Sequence, residues 1–208
     1  RRGSSFDPVS EDAGRGRGAS SAFQEPLAAR GTPYRGALYA GLMLTDSGPR
    51  VIEFNARFGD PETQSVLPLV GGSLGTLLAS AARGVLEPAS IGRMAGAAVT
   101  LALVDAGYPD NVHGGGAIRG LEALSARDAA ASSGPGDAEA LHVFHAGTRL
   151  ENGEWVVCGG RAAYLTAVGD TIEQARVRVY AARAQLSGSG WRSRDDVAAR
   201  VAAATRSA

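Results

Sequence analysis

The 208-residue chain reads as a mixed α/β fold, α+β in arrangement. Three local patterns carry that expectation. Asp46-Ser47-Gly48-Pro49 separates two apolar runs, Ala37–Thr45 and Val51–Asn55, as a hairpin turn separates antiparallel strands. A second series of short strands begins at Ala97. Thr171, with Gln174 three residues on, precedes an apolar stripe of Ile172, Ala175, Val179, Ala182 and Leu186, the mark of a capped helix.

Residues 1–24 are rich in Gly, Ser and Arg and lack apolar periodicity, so disorder is expected there. One RGRG copy at Arg15–Gly18 is too short to make a nucleic-acid segment and reads as a solvated tail. Glu25–Arg30 reads as a helix end stopped by Gly31. In the second hairpin strand, alternation puts Glu53, Asn55 and, if the strand continues, Arg57 on one face. Ile52 and Phe54 then point the other way, into apolar surroundings. A carboxylate and an amide oxygen suit a hard cation whose shell substrate phosphates complete, and Arg57 could clamp a phosphate or carboxylate. A solvated sheet face would show the same alternation, and spacing alone leaves both readings open. The chain then turns through Phe58-Gly59-Asp60-Pro61, with Pro61 at the first helical position and Glu62 in the first turn.

Pro61–Leu69 reads as a short helix. Ser73–Arg83 reads as another, with Ser73 as N-cap and Gly84 as stop. Leu86–Arg93, with Pro88, is a plausible domain boundary. Ala97–Val104 is a strand, Gly107–Asp110 a turn, and Gly114–Gly116 a glycine run that reads first as a flexible turn. Ala126–Asp137 reads as a loop. Leu141–His145, Trp155–Cys158 and Tyr164–Val168 are strands, with a hairpin turn at Glu151-Asn152-Gly153. Arg161, in Gly159-Gly160-Arg161, is a second candidate anion binder. Arg176, Arg178 and Arg183 are expected on or beside the solvated face of the capped helix, and Asp195–Ala204 as a final Ala-rich helix.

All 21 basic residues are arginine, balanced by 21 Asp and Glu, so neither a general nucleic-acid nor a membrane surface binder is indicated. Without lysine, the chain has no Schiff-base or lysine-nucleophile chemistry of its own. Cys158 is its one cysteine and cannot close an intrachain disulfide, which fits a cytoplasmic location. No apolar run is long enough to span a membrane. The chain opens with Arg1 rather than Met and reads as a fragment or an incomplete reading frame.

VIEFNARFGDPETQ (Val51–Gln64) closely resembles the signature of the glycinamide ribonucleotide synthetase (phosphoribosylamine–glycine ligase) family of ATP-grasp enzymes in purine biosynthesis. YRGALYAGLMLT (Tyr34–Thr45) is similar to the segment before it, and VFHAGT (Val143–Thr148) and GGR (Gly159–Arg161) to that family's C-terminal domain, in order. The resemblance implies residues 25–87 as the C-terminal half of an ATP-grasp fold and 94–208 as the family's C-terminal domain, which closes over the site. It implies a ligase that phosphorylates the glycine carboxylate with ATP, after which the amine of phosphoribosylamine attacks the acyl phosphate.

By the same resemblance, Glu53 and Asn55 are the ligands of Mg2+ (or Mn2+). Gly41 stands where many ATP-grasp enzymes carry a further acidic ligand. Arg57 is the catalytic group that stabilises the transferring phosphoryl or carboxylate charge, and Ile52 the apolar floor under adenine. Asp60, Glu62 and Arg161 are substrate contacts, although Asp60 and Glu62 read equally well as turn and helix-start residues. His113-Gly114 replaces the usual lysine–glycine pair, Ala162-Ala163 replaces larger apolar residues, and Trp191–Asp196 matches a tyrosine–arginine–x–aspartate motif only loosely. The expected partners are ATP, glycine, phosphoribosylamine and a missing N-terminal half that would roof the adenine. The alternatives are an inactive or partner-dependent fragment and another ATP-grasp carboxylate–amine ligase; RFGDPETQ argues against the latter.

Overall fold

The computed structural model describes residues 25–86, 91–130 and 140–206. The expectations for residues 1–24 and for most of the Ala126–Asp137 loop lie outside them. The described chain is a mixed α/β structure that divides into two compact units. One comprises the described residues up to Gly59 together with the segment from Gly75; the other comprises Asp60–Leu74 and the described residues from Ile91.

In the first unit, residues 25–29 form a helical turn (α1). β1 (Tyr39–Thr45) and β2 (Gly48–Asn55) pair antiparallel, as the sequence predicts. Thr45 faces Gly48 across a two-residue turn, so Gly48 and Pro49 open the second strand instead of filling the turn. The register shifts between Gly41 and Leu42. Ile52 is 63% and Phe54 37% exposed, which corrects the expectation of apolar surroundings. Arg50 to Phe54 are exposed on both faces of β2, so the alternation there marks no buried side.

The second unit opens at Asp60. α2 (Glu62–Val66) is followed by a 3-10 turn at Leu67–Leu69, where Pro68 cannot supply the N–H that a continuing α-helix needs. One helix was expected here, and Pro61 is its N-cap residue rather than its first helical position. β3 (Val70–Gly72) then pairs with β4 (Ile91–Arg93), a strand inside the expected boundary segment. In the first unit, which the chain rejoins at Gly75, α3 (Leu74–Arg83) ends at Gly84, whose φ of +78° suits the expected stop.

The main sheet is antiparallel, in the order β12 (Trp191–Arg192), β5 (Ala97–Asp105), β10 (Arg161–Gly169), β7 (Leu141–His145). Smaller pairs are β6 (Ile118–Arg119) with β11 (Ser187–Gly188), and β8 (Thr148–Glu151) with β9 (Glu154–Val157). The β8–β9 turn has Asn152 and Gly153 at φ 50° and 83°, the left-handed pair that Asn-Gly favours. α4 (Leu121–Ala130) buries Leu121 and Leu124 and replaces the first five residues of the expected loop. α5 (Ile172–Arg183) is capped as predicted: Thr171 Oγ1 accepts from Gln174 N at 3.2 Å, and Gln174 Oε1 accepts from Asp170 N at 3.0 Å.

Ala175, Val179 and Ala182 of α5 join Leu101, Leu103, Ala163 and Leu165 in the core. Arg176, Arg178 and Arg183 do not simply face solvent. They donate to Val197 O, Val168 O and Ser193 Oγ, and Arg183 also stacks over Trp191. The last helix, α6 (Ala199–Arg206), starts four residues later than expected. Ala198, at φ 60°, holds a left-handed conformation that breaks the chain just before it.

Asp105, at the end of β5, is buried, and its carboxylate accepts from the backbone N–H groups of Gly107 (2.9 Å), His113 (3.3 Å) and Gly114 (2.8 Å). The Gly107 and Gly114 bonds, foremost, hold its pKa below the ordinary 3.8. Its stabilisation is therefore complete above that unfolded-chain value and is lost as pH falls through the lower folded value. Asp105→Asn should lower the melting temperature at neutral pH. Wild type and variant should converge as the pH is taken down through the folded value, which thermal melts across an acid series would reveal.

Candidate functional site

The sequence-predicted residues fall in both units, and each group is described within its own. In the first, β2 holds Glu53 and Asn55 two residues apart on one face, and Asn55 Nδ2 donates to Glu53 Oε1 at 2.9 Å. Gly41 lies directly across the ribbon from Glu53. A Cβ there would stand 3.2 Å from Glu53 Cγ, so the glycine leaves the carboxylate room. Among the described residues no three His, Cys, Asp or Glu side chains cluster as a metal cage. The pair nevertheless fits a hard cation: a carboxylate with an oxygen beyond the one held by Asn55, and an amide carbonyl, are both oxygen donors. Two protein ligands are what a site keeping phosphate and water in its shell requires. Arg57 turns back on its own loop and donates through Nη1 to Phe58 O at 2.8 Å, one of its five donors. Ile52 stands exposed on the neighbouring position of β2.

In the second unit, Asp60 and Arg161 come together although they lie 101 positions apart in sequence. Arg161 Nη1 donates to Asp60 O at 3.1 Å, and its Nη2 lies 3.3 Å from Asp60 Oδ2. Gln64 Nε2 donates to the other carboxylate oxygen at 3.1 Å. Glu62 sits in the first turn of α2, where its charge suits the helix dipole. A hydroxyl chain fastens α2 to the sheet: Ser65 Oγ to Thr100 Oγ1 at 2.6 Å, and Thr100 Oγ1 to the buried Thr166 Oγ1 at 2.8 Å.

Sequence reasoning missed Tyr164. It is 1% exposed on β10, and its hydroxyl faces the Asp60 carboxylate without closing a hydrogen bond to it. Burial first, and then Asp60, push its pKa well above the ordinary tyrosine value, so it stays a neutral hydroxyl. Gln64 Oε1 is likewise buried without a partner. Nothing in the local spacing singles out Tyr164, which β10 carries beside Asp60, whereas Gln64 reaches Asp60 from four residues on in α2.

The Gly-Gly of GGR has a steric reason. A Cβ on Gly160 would lie 2.6 Å from Tyr108 Cδ2 and 3.0 Å from its Cε2, so the Tyr108 ring rests where that side chain would be. Tyr108 and Arg161 line the same cleft of about 690 Å3.

Two family models match the chain: Phosphoribosylglycinamide synthetase, ATP-grasp (A) domain, over residues 21–63, and Phosphoribosylglycinamide synthetase, C domain, over residues 98–200. The chain is 44% identical over 176 residues to the phosphoribosylamine–glycine ligase of Streptomyces coelicolor, covering 84% of this chain and 40% of that protein. It is 40% identical over 156 residues to the Mesorhizobium japonicum ligase, covering 75% and 34%. A crystal structure of the Thermotoga maritima phosphoribosylamine–glycine ligase superposes with a TM-score of 0.62 at 32% identity, over 82% of this chain and 39% of that one. The chain thus spans about two fifths of the length of these relatives.

Gly160→Ala should displace the Tyr108 ring and lower stability by about 1–3 kcal/mol. Gly159→Ala, whose Cβ would meet only Gly147 Cα at 3.3 Å, should cost less. Denaturant midpoints of the two variants would show whether this order holds.

Proposed function

We propose that this chain, which belongs to the phosphoribosylglycinamide synthetase family, supplies part of the site of a phosphoribosylamine–glycine ligase. In this reading residues 25–87 form the C-terminal half of the ATP-grasp unit and 94–208 the C-terminal domain. The observation that carries it is the paired oxygen donors Glu53 and Asn55, set two residues apart on a hairpin within the stretch matching the ATP-grasp domain.

The reaction transfers the γ-phosphoryl of ATP to a glycine carboxylate oxygen, releasing ADP. The amine of phosphoribosylamine then attacks the acyl carbon, and phosphate leaves. Neither step needs a side-chain nucleophile. Glu53 and Asn55 would hold Mg2+, or Mn2+ in its place, which would neutralise phosphate charge and supply a Lewis acid. Arg57 swings its spare guanidinium donors onto the transferring phosphoryl group or the glycine carboxylate. Ile52, apolar and exposed, offers adenine a surface. Asp60 and Glu62 present carboxylates to an amine or a ribose hydroxyl, and Arg161 presents a guanidinium to an anion.

Among the described residues no helix is long and apolar enough to cross a membrane. The exposed, unpaired Cys158 suits the reducing cytoplasm where this reading places the reaction.

Calorimetry on the purified chain should give ATP binding that requires Mg2+ and weakens about tenfold or more in Glu53→Ala. Metal-independent ATP binding, or binding indifferent to Glu53→Ala, would count against the assigned ligands. Arg57→Ala should leave the metal dependence intact while weakening ATP binding.

A further inference from the structure

We propose that Asp128 guards the outer edge of the main sheet, and that β7, once released from it, pairs antiparallel with β7 of a second copy of this chain. The inference concerns the second unit alone and stands apart from the ligase reading. Its occupant is a second copy because the strand is complementary to itself.

Among the described residues β7 ends the sheet order β12-β5-β10-β7. Ala146 N donates to Ala162 O and Val168 N to Ala140 O, each at 2.9 Å. In an antiparallel ladder the residues that bond to one neighbour alternate with residues whose N–H and C=O point the other way. His142 and Phe144, opposite Thr166 and Tyr164, therefore turn to β10. Leu141, Val143 and His145 turn their backbone groups outward. The Val143 N–H bears this out, because it donates to Asp128 Oδ2 at 2.9 Å and not to a strand. An outward-facing edge is a template for one more strand, and proteins block it with a charge, a proline or a bulge on the strand itself. Leu141-His142-Val143-Phe144-His145 has no Arg, Lys, Asp, Glu or Pro, and it pairs with β10 in unbroken register. The block comes from Asp128 instead.

Asp128 is brought there by α4, which is anchored by the buried Leu121 and Leu124. Ser125 and Asp128, three residues apart, share one helix face. Ser125 Oγ lies 3.1 Å from His145 Nε2, and Asp128 Oδ1 lies 3.1 Å from His142 Nδ1. The carboxylate thus sits at the middle of the three outward positions, where an incoming strand would have to bond. Its side chain is 25% exposed, so solvent competes for the contact and the guard can be lifted without opening the core. About a twofold axis at Val143, that residue meets Val143 of the copy, and Leu141 meets His145. Each is an outward-facing pair, so N–H groups meet C=O groups in both directions. No like charges meet: His142 falls opposite Phe144, and burial lowers the His145 pKa below the ordinary 6.5, against the opposing pull of Glu122.

The test is the mass of the 208-residue chain in solution, by size-exclusion chromatography with light scattering, up to about 100 μM. Asp128→Ala removes both acceptor oxygens and should self-associate about tenfold or more tightly than wild type, as a dimer. Asp128→Asn keeps an oxygen that can accept from Val143 N and should recover most of the wild-type behaviour. Val143→Pro has no N–H to offer a second strand, and proline is tolerated at an outward edge position. Added to Asp128→Ala, it should return association to the wild-type level; alone, it should change nothing. Association through any other surface is common to all four chains and drops out of the comparison. Melting curves report whether each variant is folded. If Asp128→Ala does not melt cooperatively, Asp128→Ser, whose side chain is shorter and uncharged, is judged by the same criteria. The proposal is overturned if the folded Asp128 variant associates no more than wild type, or if its dimer survives Val143→Pro.

Discussion

The second unit depends on one strand. Every residue of β10 from Ala162 to Gly169 is buried. β5 pairs along one edge and β7 along the other, and the α5 residues Ala175, Val179 and Ala182 share its core. A strand paired on both edges and buried on both faces has its register set by close packing on each side. Its first residue, Arg161, is therefore delivered to a defined place, and so are Tyr164 and Thr166 behind it. Asp60 and α2 are fastened to this frame by Arg161 and by the Ser65–Thr100–Thr166 hydroxyl chain. The later half of the RFGDPETQ string is thus a passenger of the C-terminal sheet.

Two carboxylates show how the same residue type serves different ends. Asp105 is held by three backbone N–H groups that cannot move away, so its charge organises the loop to Gly114 and goes no further. Asp60 is about one-third exposed and is held by side chains, Gln64 and Arg161, with Tyr164 facing it unbonded. Side-chain partners can be exchanged at modest cost, because solvent competes for the same groups. The first arrangement is architecture. The second can respond to a ligand.

What the sequence made legible was local chemistry. Asn152-Gly153 demands a left-handed turn, Thr171 with Gln174 caps α5, and the Glu53–Asn55 spacing survives in the folded hairpin, because each depends on residues within a few positions. The family resemblance was legible for the same reason, in contiguous strings. What it hid was set by distant partners. β6, β11 and β12 are two residues long and exist only because another strand lies beside them. β4 falls where a boundary was expected, since Val70–Gly72 comes back to pair with it. Alternation in β2 suggested a buried Ile52, but the middle of the strand is exposed on both faces. The Arg161, Arg192 and Arg194 cleft is assembled by sheet order, and no spacing rule would collect those three residues.

The central claim is that the Asp60–Arg161 contact carries the segment from Asp60 through α2 onto the C-terminal sheet. Its most direct test is amide hydrogen exchange on residues 62–66 in wild type, Asp60→Ala, Arg161→Ala and the double variant. The account predicts that each single change raises exchange in α2, and that the double variant adds little, a coupling of about 1 kcal/mol. Exchange unchanged by Arg161→Ala, or strictly additive effects, would contradict it and leave the hydroxyl chain as the tether.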